Sequence, residues 1–410
     1  MRSRTKTNSP KTPNVIRVLV ISDIHAFNSK TKGRDPREPP SYIDIADGND
    51  RSADQPLKAL DELITAAALK ADAVICCGDL ADAADPLGIK YSWDYLRKLK
   101  KQVQASLLVS AVGNHDIDSR FQSQSYDPRE FIQSLKPTFP GHTAALSNQF
   151  WARHFVIYRH GAMRVLLVDS CAYHGIKHEY NHGRISDPTL GEIERRLTAD
   201  GPCELNLMVC HHHPQKLADY NLGDYDDMLN GQKILDRLGY GKHGDWIVLH
   251  GHKHCPKISY AAGGANSPLV FSCGSIGARL FPELGASARN QWYLLEFPTE
   301  LFAVYGVVGT FTAWDWIPSH GYQKARIGSG LPHQGGFGNR TPLAVVASTI
   351  RSLFNAPGRL DWTTICGRRP DLRFILPGDL RRLKEILETN HNIRLDFSEF
   401  GLIEEIELLA

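Results

Sequence analysis

Short apolar runs alternate with amphipathic stretches through the first third of the chain. Arg17–Ser22 (RVLVIS), Ala73–Cys77 and Leu107–Val112 are continuous apolar runs of strand length. Between them, Gln55–Lys70 carries Leu57, Leu60, Leu63, Ile64, Ala67 and Ala68 at helical spacing. Tyr91–Val103 carries Trp93, Leu96, Leu99 and Val103 on one stripe. The pattern predicts β-α-β-α-β, which implies parallel strands joined by right-handed helical crossovers. His154–His160, Arg164–Asp169, Leu205–Cys210, Trp246–Leu249, Leu269–Cys273 and Trp292–Phe297 are also short and apolar, with turns between them and a helix at Pro188–Leu197. They read as more antiparallel. A second sheet packed on the first, with helices outside, is expected.

Residues 31–54 are rich in Pro, Gly and Asp and read as a long loop beginning just after the first strand. A main domain is expected over 15–318, preceded by a basic, disordered tail at 1–14. The Gly-, His- and Pro-rich stretch 319–342 reads as a linker. Residues 343–410 then form a small C-terminal α-rich domain. Its helices are expected at Leu343–Phe354 and at Leu380–Thr389, the second capped by Asp379. The amphipathic end, Gly401–Ala410, carries Glu404, Glu405 and Glu407.

Composition changes this picture little. The 410 residues carry a formal charge of +2, which predicts neither nucleic-acid nor membrane binding. The basic N-terminal stretch has no apolar core of the kind a signal peptide needs, and no apolar run approaches bilayer length. The eight cysteines form no CxxC pair and read as reduced thiols of a cytoplasmic protein.

The candidate chemistry lies at the ends of the predicted strands. Asp23-Ile24-His25 ends the first apolar run, Gly78-Asp79 the second, and Gly113-Asn114-His115-Asp116 the third. His211-His212-His213-Pro214 and Gly251-His252-Lys253-His254 follow two later ones. Open α/β sheets bind ligands at the C-terminal ends of their parallel strands, so topology brings these fragments together. In an extended segment Asp23 and His25, two residues apart, would point the same way. Asp79 can bridge two cations with its two oxygens, Asn114 offers a carbonyl oxygen, and His212 adds a ring nitrogen. Such a mixed oxygen and nitrogen set suits manganese, iron or zinc, with manganese the first choice. Two ions about 3.5–4 Å apart favour phosphate-ester hydrolysis. His115 is then placed to protonate the leaving alkoxide, and Asp116 to orient His115 or cap the next segment. Any one fragment alone is an ordinary polar turn. The weight lies in all five following strands in one order.

That order (DxH, GD, GNHD, a His before Pro, GHxH) resembles the calcineurin-like metallophosphoesterase superfamily over about Val15 to Leu280. The resemblance implies a four-layer α/β/β/α sandwich, here with a small, mainly helical C-terminal extension, and a metal-bridging hydroxide as nucleophile. By position it implies Asp23, His25, Asp79 and His254 at one ion, and Asp79, Asn114, His212 and His252 at the other. His212 is selected over His211 and His213 because the family's ligand usually sits two residues before the proline. His115 matches the family's general acid. Gly78-Asp79-Leu80-Ala81-Asp82, followed by Asp85-Pro86, looks like the cyclic-nucleotide phosphodiesterase branch. Cyclic nucleotides, dinucleotides and DNA are the substrate classes to weigh. His182 and Arg184, in a polar loop with His174 and Tyr180, are candidates for the substrate pocket, Arg184 holding a phosphate. Gly274-Ser275 fits either a support for the metal loop or an ordinary turn. The leading expectation is a dinuclear phosphodiesterase. The alternative is a nuclease effector recruited to a partner through the C-terminal domain. An intact ligand set with His115 argues against a non-catalytic scaffold.

Overall fold

The computed structural model describes residues 15–31, 38–46, 51–120, 124–141, 143–175, 178–216, 227–284 and 287–409. The tail expected at 1–14 and residues 32–37 and 47–50 of the 31–54 loop lie outside them. The first third follows its hydrophobic pattern: β1 (Val15–Ile21), α1 (Pro56–Ala66), β2 (Ala73–Cys76), α2 (Pro86–Gln102) and β3 (Leu107–Ser110). β1, β2 and β3 are parallel neighbours. Asp85 starts α2, its carboxylate accepting the N–H groups of Leu87 and Gly88.

After α3 (Pro128–Ser134) and α4 (Ala144–Arg153) comes a second sheet. Its strands are β4 (Phe155–His160), β5 (Met163–Val168), β6 (Leu205–Val209), β7 (Trp246–His250), β8 (Lys257–Tyr260) and β9 (Leu269–Ser272). They lie in the order β4-β5-β6-β7-β9-β8. The expected antiparallel character holds only at the two edges: β5, β6, β7 and β9 run parallel. The helices α5 (Asp187–Asp200) and α6 (Gly231–Gly239) supply the crossovers that parallel pairing needs.

Alternation along the second sheet builds the four layers. Val165, Leu167, Leu207, Val209, Ile247, Leu249 and Phe271 join the core shared with the first sheet. Their neighbours Leu166, Val168, Met208, Val248 and Val270 instead pack with Leu190, Ile193 and Leu197 of α5 and Ile234, Leu235 and Leu238 of α6.

The chain then returns to the first sheet through β10 (Gln291–Pro298), antiparallel to β1. The short α7 (Phe302–Tyr305) leads to β11 (Gly309–Ile317), on whose far side β12 (Gly321–Lys324) and β13 (Gln334–Phe337) pair. The stretch expected as a linker therefore holds two strands of the sheet. The physical reason is apolar anchoring: Phe337 is fully buried against Phe297, at 5.6 Å between ring centroids.

The C-terminal extension contains α8 (Leu343–Arg351), β14 (Gly358–Asp361), α9 (Trp362–Arg368), α10 (Pro377–His391), β15 (Ile393–Phe397) and β16 (Ile403–Leu408). Beside its helices it forms a three-stranded antiparallel sheet in the order β14-β16-β15. It has its own apolar core, including Ile350, Ile365, Leu383, Leu387, Leu395 and Ile406. Asp379 falls inside the first turn of α10, not at its cap, which is Leu376. Among the described residues, no helix is long and apolar enough to cross a membrane.

Candidate dinuclear metal centre

The loops leaving β1 and β2 are stitched together by their backbones. The N–H groups of Asp23, His25 and Ala26 donate to the carbonyls of Gly78, Asp79 and Leu80 at 3.0–3.1 Å. Asp23, His25, Asp79, His252 and His254 all have left-handed backbones, with φ between 50° and 78°. The extended geometry expected for Asp23-Ile24-His25 is thus replaced by a kinked one. For a non-glycine residue that conformation costs on the order of 1–3 kcal/mol, and it persists where surrounding bonds over-determine it. Five such residues at one place mark a site whose side-chain directions outweigh local backbone comfort.

These backbones aim two sets of ligand atoms at one region. In the first, His254 Nε2 lies 3.3 Å from Asp23 Oδ1 and 3.3 Å from His25 Nε2. In the second, Asn114 Oδ1 lies 3.0 Å from His211 Nε2 and 2.9 Å from His252 Nδ1. Asp79 Oδ2 sits between them, 3.4 Å from His25 Nε2 and 3.3 Å from His211 Nε2. Two donors each about 2.1 Å from one cation, at tetrahedral to octahedral angles, stand roughly 3.0–3.4 Å apart. The observed separations fit that spacing. The donor set, carboxylate and amide oxygens with imidazole nitrogens, fits a pair of divalent ions.

The structure separates the three consecutive histidines. His211, and not His212, faces Asp79 and Asn114. Its Nδ1 is 2.9 Å from the Cys77 carbonyl and donates to it, which leaves Nε2 as the nitrogen facing Asp79 and Asn114. His212 turns to the other side of the strand end, where its Nδ1 meets Ser170 Oγ at 2.9 Å. Its ring packs 4.5 Å from that of His252 and 5.1 Å from that of His174. His213 is buried and stacks on His252 at 5.8 Å.

Asp116 does not orient His115. Its two oxygens accept the N–H groups of Gly113, at 2.8 Å, and Ala81, at 3.0 Å, tying the GNHD loop to the loop after β2. Asp82 takes the orienting position, its Oδ1 3.1 Å from His115 Nδ1. The sequence held a signal for it, since Asp82 stands three residues after Asp79 in GDLAD. The His115 ring stays 41 % exposed and packs edge-on against His25 at 4.7 Å. Ser275 supports the first loop, donating to the Asp23 carbonyl at 2.7 Å. Ser22, which donates to the Asp23 carboxylate, was not singled out from sequence.

Two glycines make room for the carboxylates. A Cβ on Gly113 would collide with the backbone N and Oδ1 of Asp79, and one on Gly251 with Ser22 Oγ and Asp23 Oδ2. Gly113→Ala is therefore expected to push Asp79 out of place. Metal affinity should fall by about 100-fold or more, a loss comparable with removing a group that orients a ligand. Titration calorimetry checks this, and unchanged affinity would show that the loop relaxes around the methyl group.

Charge is divided across the site. Burial alone would raise the pKa of Asp79, but the imidazoles of His211 and His115 outweigh it and hold the carboxyl well below its ordinary value. Burial would lower His211 and His115, yet Asp79 in both cases, with Asp82 beside His115, lifts each to about 9. His25 is pushed down to about 4, chiefly by burial, and His252 well below its ordinary value for the same reason. Burial and the Asp79 charge together lift Asp116 to about 7. Ionised carboxylates beside neutral His25 and His252 are the protonation states metal binding requires. At His211 a cation would displace a proton.

The two residues expected in the substrate pocket are differently placed. The Arg184 guanidinium pairs with Glu179 at 2.7 Å and lies 4.7 Å from the Tyr173 ring centre, so its charge is already matched. The His182 carbonyl lies 3.1 Å from His174 Nε2, and His174 Nδ1 is 2.6 Å from Ser119 Oγ, which donates to the Asn114 carbonyl. His174 and the His182 carbonyl thus buttress Asn114 from behind through Ser119.

All eight cysteines are free, and Cys77 and Cys273 touch at 3.9 Å behind the site.

Comparison with known proteins bears on both parts of the chain. A search of curated proteins finds no match. Among solved structures, a dimetal phosphatase from Danio rerio is 11% identical, over 74% of this chain and 96% of its own, with a TM-score of 0.47. A purple acid phosphatase from yellow lupin seeds is 15% identical, over 81% of this chain and 55% of its own, with a TM-score of 0.48. The family model wHTH-Calcineurin_assc matches residues 335–389. The model described as calcineurin-like phosphoesterase matches residues 16–256, more than half of the chain and all five strand-end fragments. With the metal-ligand spacing around Asp79, that match assigns the chain to the calcineurin-like phosphoesterase family.

Proposed function

We propose that this protein is a phosphodiesterase working through two divalent ions, manganese first among them. Asp23, His25, Asp79 and His254 would hold one ion, and Asp79, Asn114, His211 and His252 the other. His211 replaces His212 in the set read from sequence. The observation that carries this reading is the meeting of both donor sets on Asp79 Oδ2, within 3.4 Å of each. When bound, such ions acidify a water and clamp the oxygens of an in-line phosphoryl displacement. The chain's own residues position and protonate. The backbone N–H of His115 donates to Asp79 Oδ1 at 2.8 Å and fixes that carboxylate. His115 Nδ1–H is held by Asp82, which leaves Nε2 to deliver a proton to the departing oxygen.

The test is a metal-loaded screen of aryl monoesters and diesters, cyclic nucleotides, dinucleotides and single- and double-stranded DNA, with Asp79→Asn as control. Diester turnover absent from the control supports the reading, and preference for monoesters would overturn it. For the proton donor, His115→Ala should slow alkyl-leaving diesters by about 10²–10⁴ and activated aryl esters far less. Asp82→Asn should repeat that pattern with a loss of about tenfold. Equal losses on both substrate types would remove His115 as the acid.

The extension favours a second reading, recruitment of a protein partner. We read it as a winged helix from its family match, but its β14–β16 face carries Glu405 and Glu407 paired with Arg359, which disfavours a phosphate backbone. We take the catalytic unit to close with β13, the winged helix following it.

A further inference from the structure

We propose that Phe281 is the platform on which a nucleobase of the substrate stacks while its phosphate ester lies at the metal centre. This inference rests on the phosphodiesterase reading and adds the residue that recognises the substrate's base. The loop after β9 is built into the site: the Ile276 N–H donates to the Ser22 carbonyl at 2.9 Å, beside the Ser275 bond to Asp23. Farther along, Leu284 and Ala288 turn inward and pack with Cys255, so the loop has its own apolar anchor. Phe281 is not part of that anchor. It is 54% exposed, and its ring lies 6.3 Å from the His254 imidazole, with the two planes only 13° apart.

Folding gains little from a half-exposed phenyl ring, whereas a flat ligand ring laid on it would remove that surface from water. Position is the second argument. The Phe281 ring stands 6.3 Å from the imidazole of a candidate ligand, so a base on the platform keeps its phosphate within reach of the metal site. Two residues before Phe281, the Arg279 guanidinium is held 3.8 Å from the Tyr42 ring centre, a fixed positive charge in the same loop. Base–aromatic stacking tolerates any base, because every base has a π-face. The platform therefore selects nucleotides as a class and not one sequence.

The test compares ligands that share a phosphate and differ in the base. Binding of adenosine 5′-monophosphate and of ribose 5-phosphate to the metal-loaded protein is measured by calorimetry, with dinucleotide kcat/KM alongside. Phe281→Ala should weaken the nucleotide by about tenfold (~1.4 kcal/mol) and lower dinucleotide kcat/KM to match, with ribose 5-phosphate far less affected. Phe281→Trp should restore both, and Phe281→Leu should restore them only in part. Because the side chain is exposed, these changes leave folding intact. Equal losses on both ligands, or none on the nucleotide, would overturn the stacking role. If the unaltered protein hydrolyses no phosphate ester at all, it is the phosphodiesterase reading that fails.

Discussion

Asp79→Asn is expected to reduce diester turnover by roughly 10³-fold (~4 kcal/mol) and to leave the protein holding about one ion per chain. The substitution is nearly isosteric. The amide oxygen can still accept the His115 N–H that Asp79 Oδ1 accepts at 2.8 Å, so the loop is expected to keep its shape. What is lost is the charge and the second ligating oxygen at the point where the two donor sets meet. In the metal-free protein the change removes the charge that pairs with His211 and His115, so a loss of stability is expected there as well. Stability then offers a readout independent of turnover. Metal should raise the melting temperature of the unaltered protein through binding to the folded state, and the rise should shrink in the variant. Full turnover with two ions bound would remove Asp79 as the bridge.

The second large effect separates adjacent histidines. His211→Ala should cost one ion and about 10³-fold in turnover, since it deletes the nitrogen 3.0 Å from Asn114 Oδ1 and 3.3 Å from Asp79 Oδ2. His212→Ala should keep both ions. Its losses should be those of a packing residue, about 10- to 100-fold in affinity or activity, because it removes a ring packed on His252 and bonded to Ser170. Metal counting on both variants decides the matter. Loss of an ion from the His212 variant, with retention in the His211 variant, would return His212 to the ligand set.

This pair of residues shows where sequence reading stops. Distance from the proline selected His212, yet three consecutive histidines at a strand end point in different directions. Which ring enters the site depends on the turn after β6 and on what packs behind it. There, Cys77 offers a carbonyl to His211, and Ser170 a hydroxyl to His212. Neither partner is near in sequence. Asp82 takes the role read for Asp116 for a similar reason. Both lie within three residues of a candidate ligand, and only the folded loops show that Asp116 is used up by two backbone N–H groups. Arg184 looked free to bind phosphate because the chain gives no sign that Glu179 turns back to meet it.

The amino-acid sequence by itself determined the layered α/β architecture. Strand and helix periods are local, and parallel strands bring their C-terminal ends to one edge whatever the loops do. It also determined the chemical kind of the site, because an Asp, Asn and His set after five strands has few other uses. Tertiary structure decided the rest. It bent five candidate residues into left-handed backbones, turned His211 toward Asn114, set Asp82 against His115, drew β12 and β13 of 319–342 into the first sheet and left Phe281 exposed beside His254. These outcomes depend on contacts between segments far apart in sequence, as in the Ser275–Asp23 bond, whose partners are 252 residues apart. Side-chain direction at a turn is set by such contacts and not by local period.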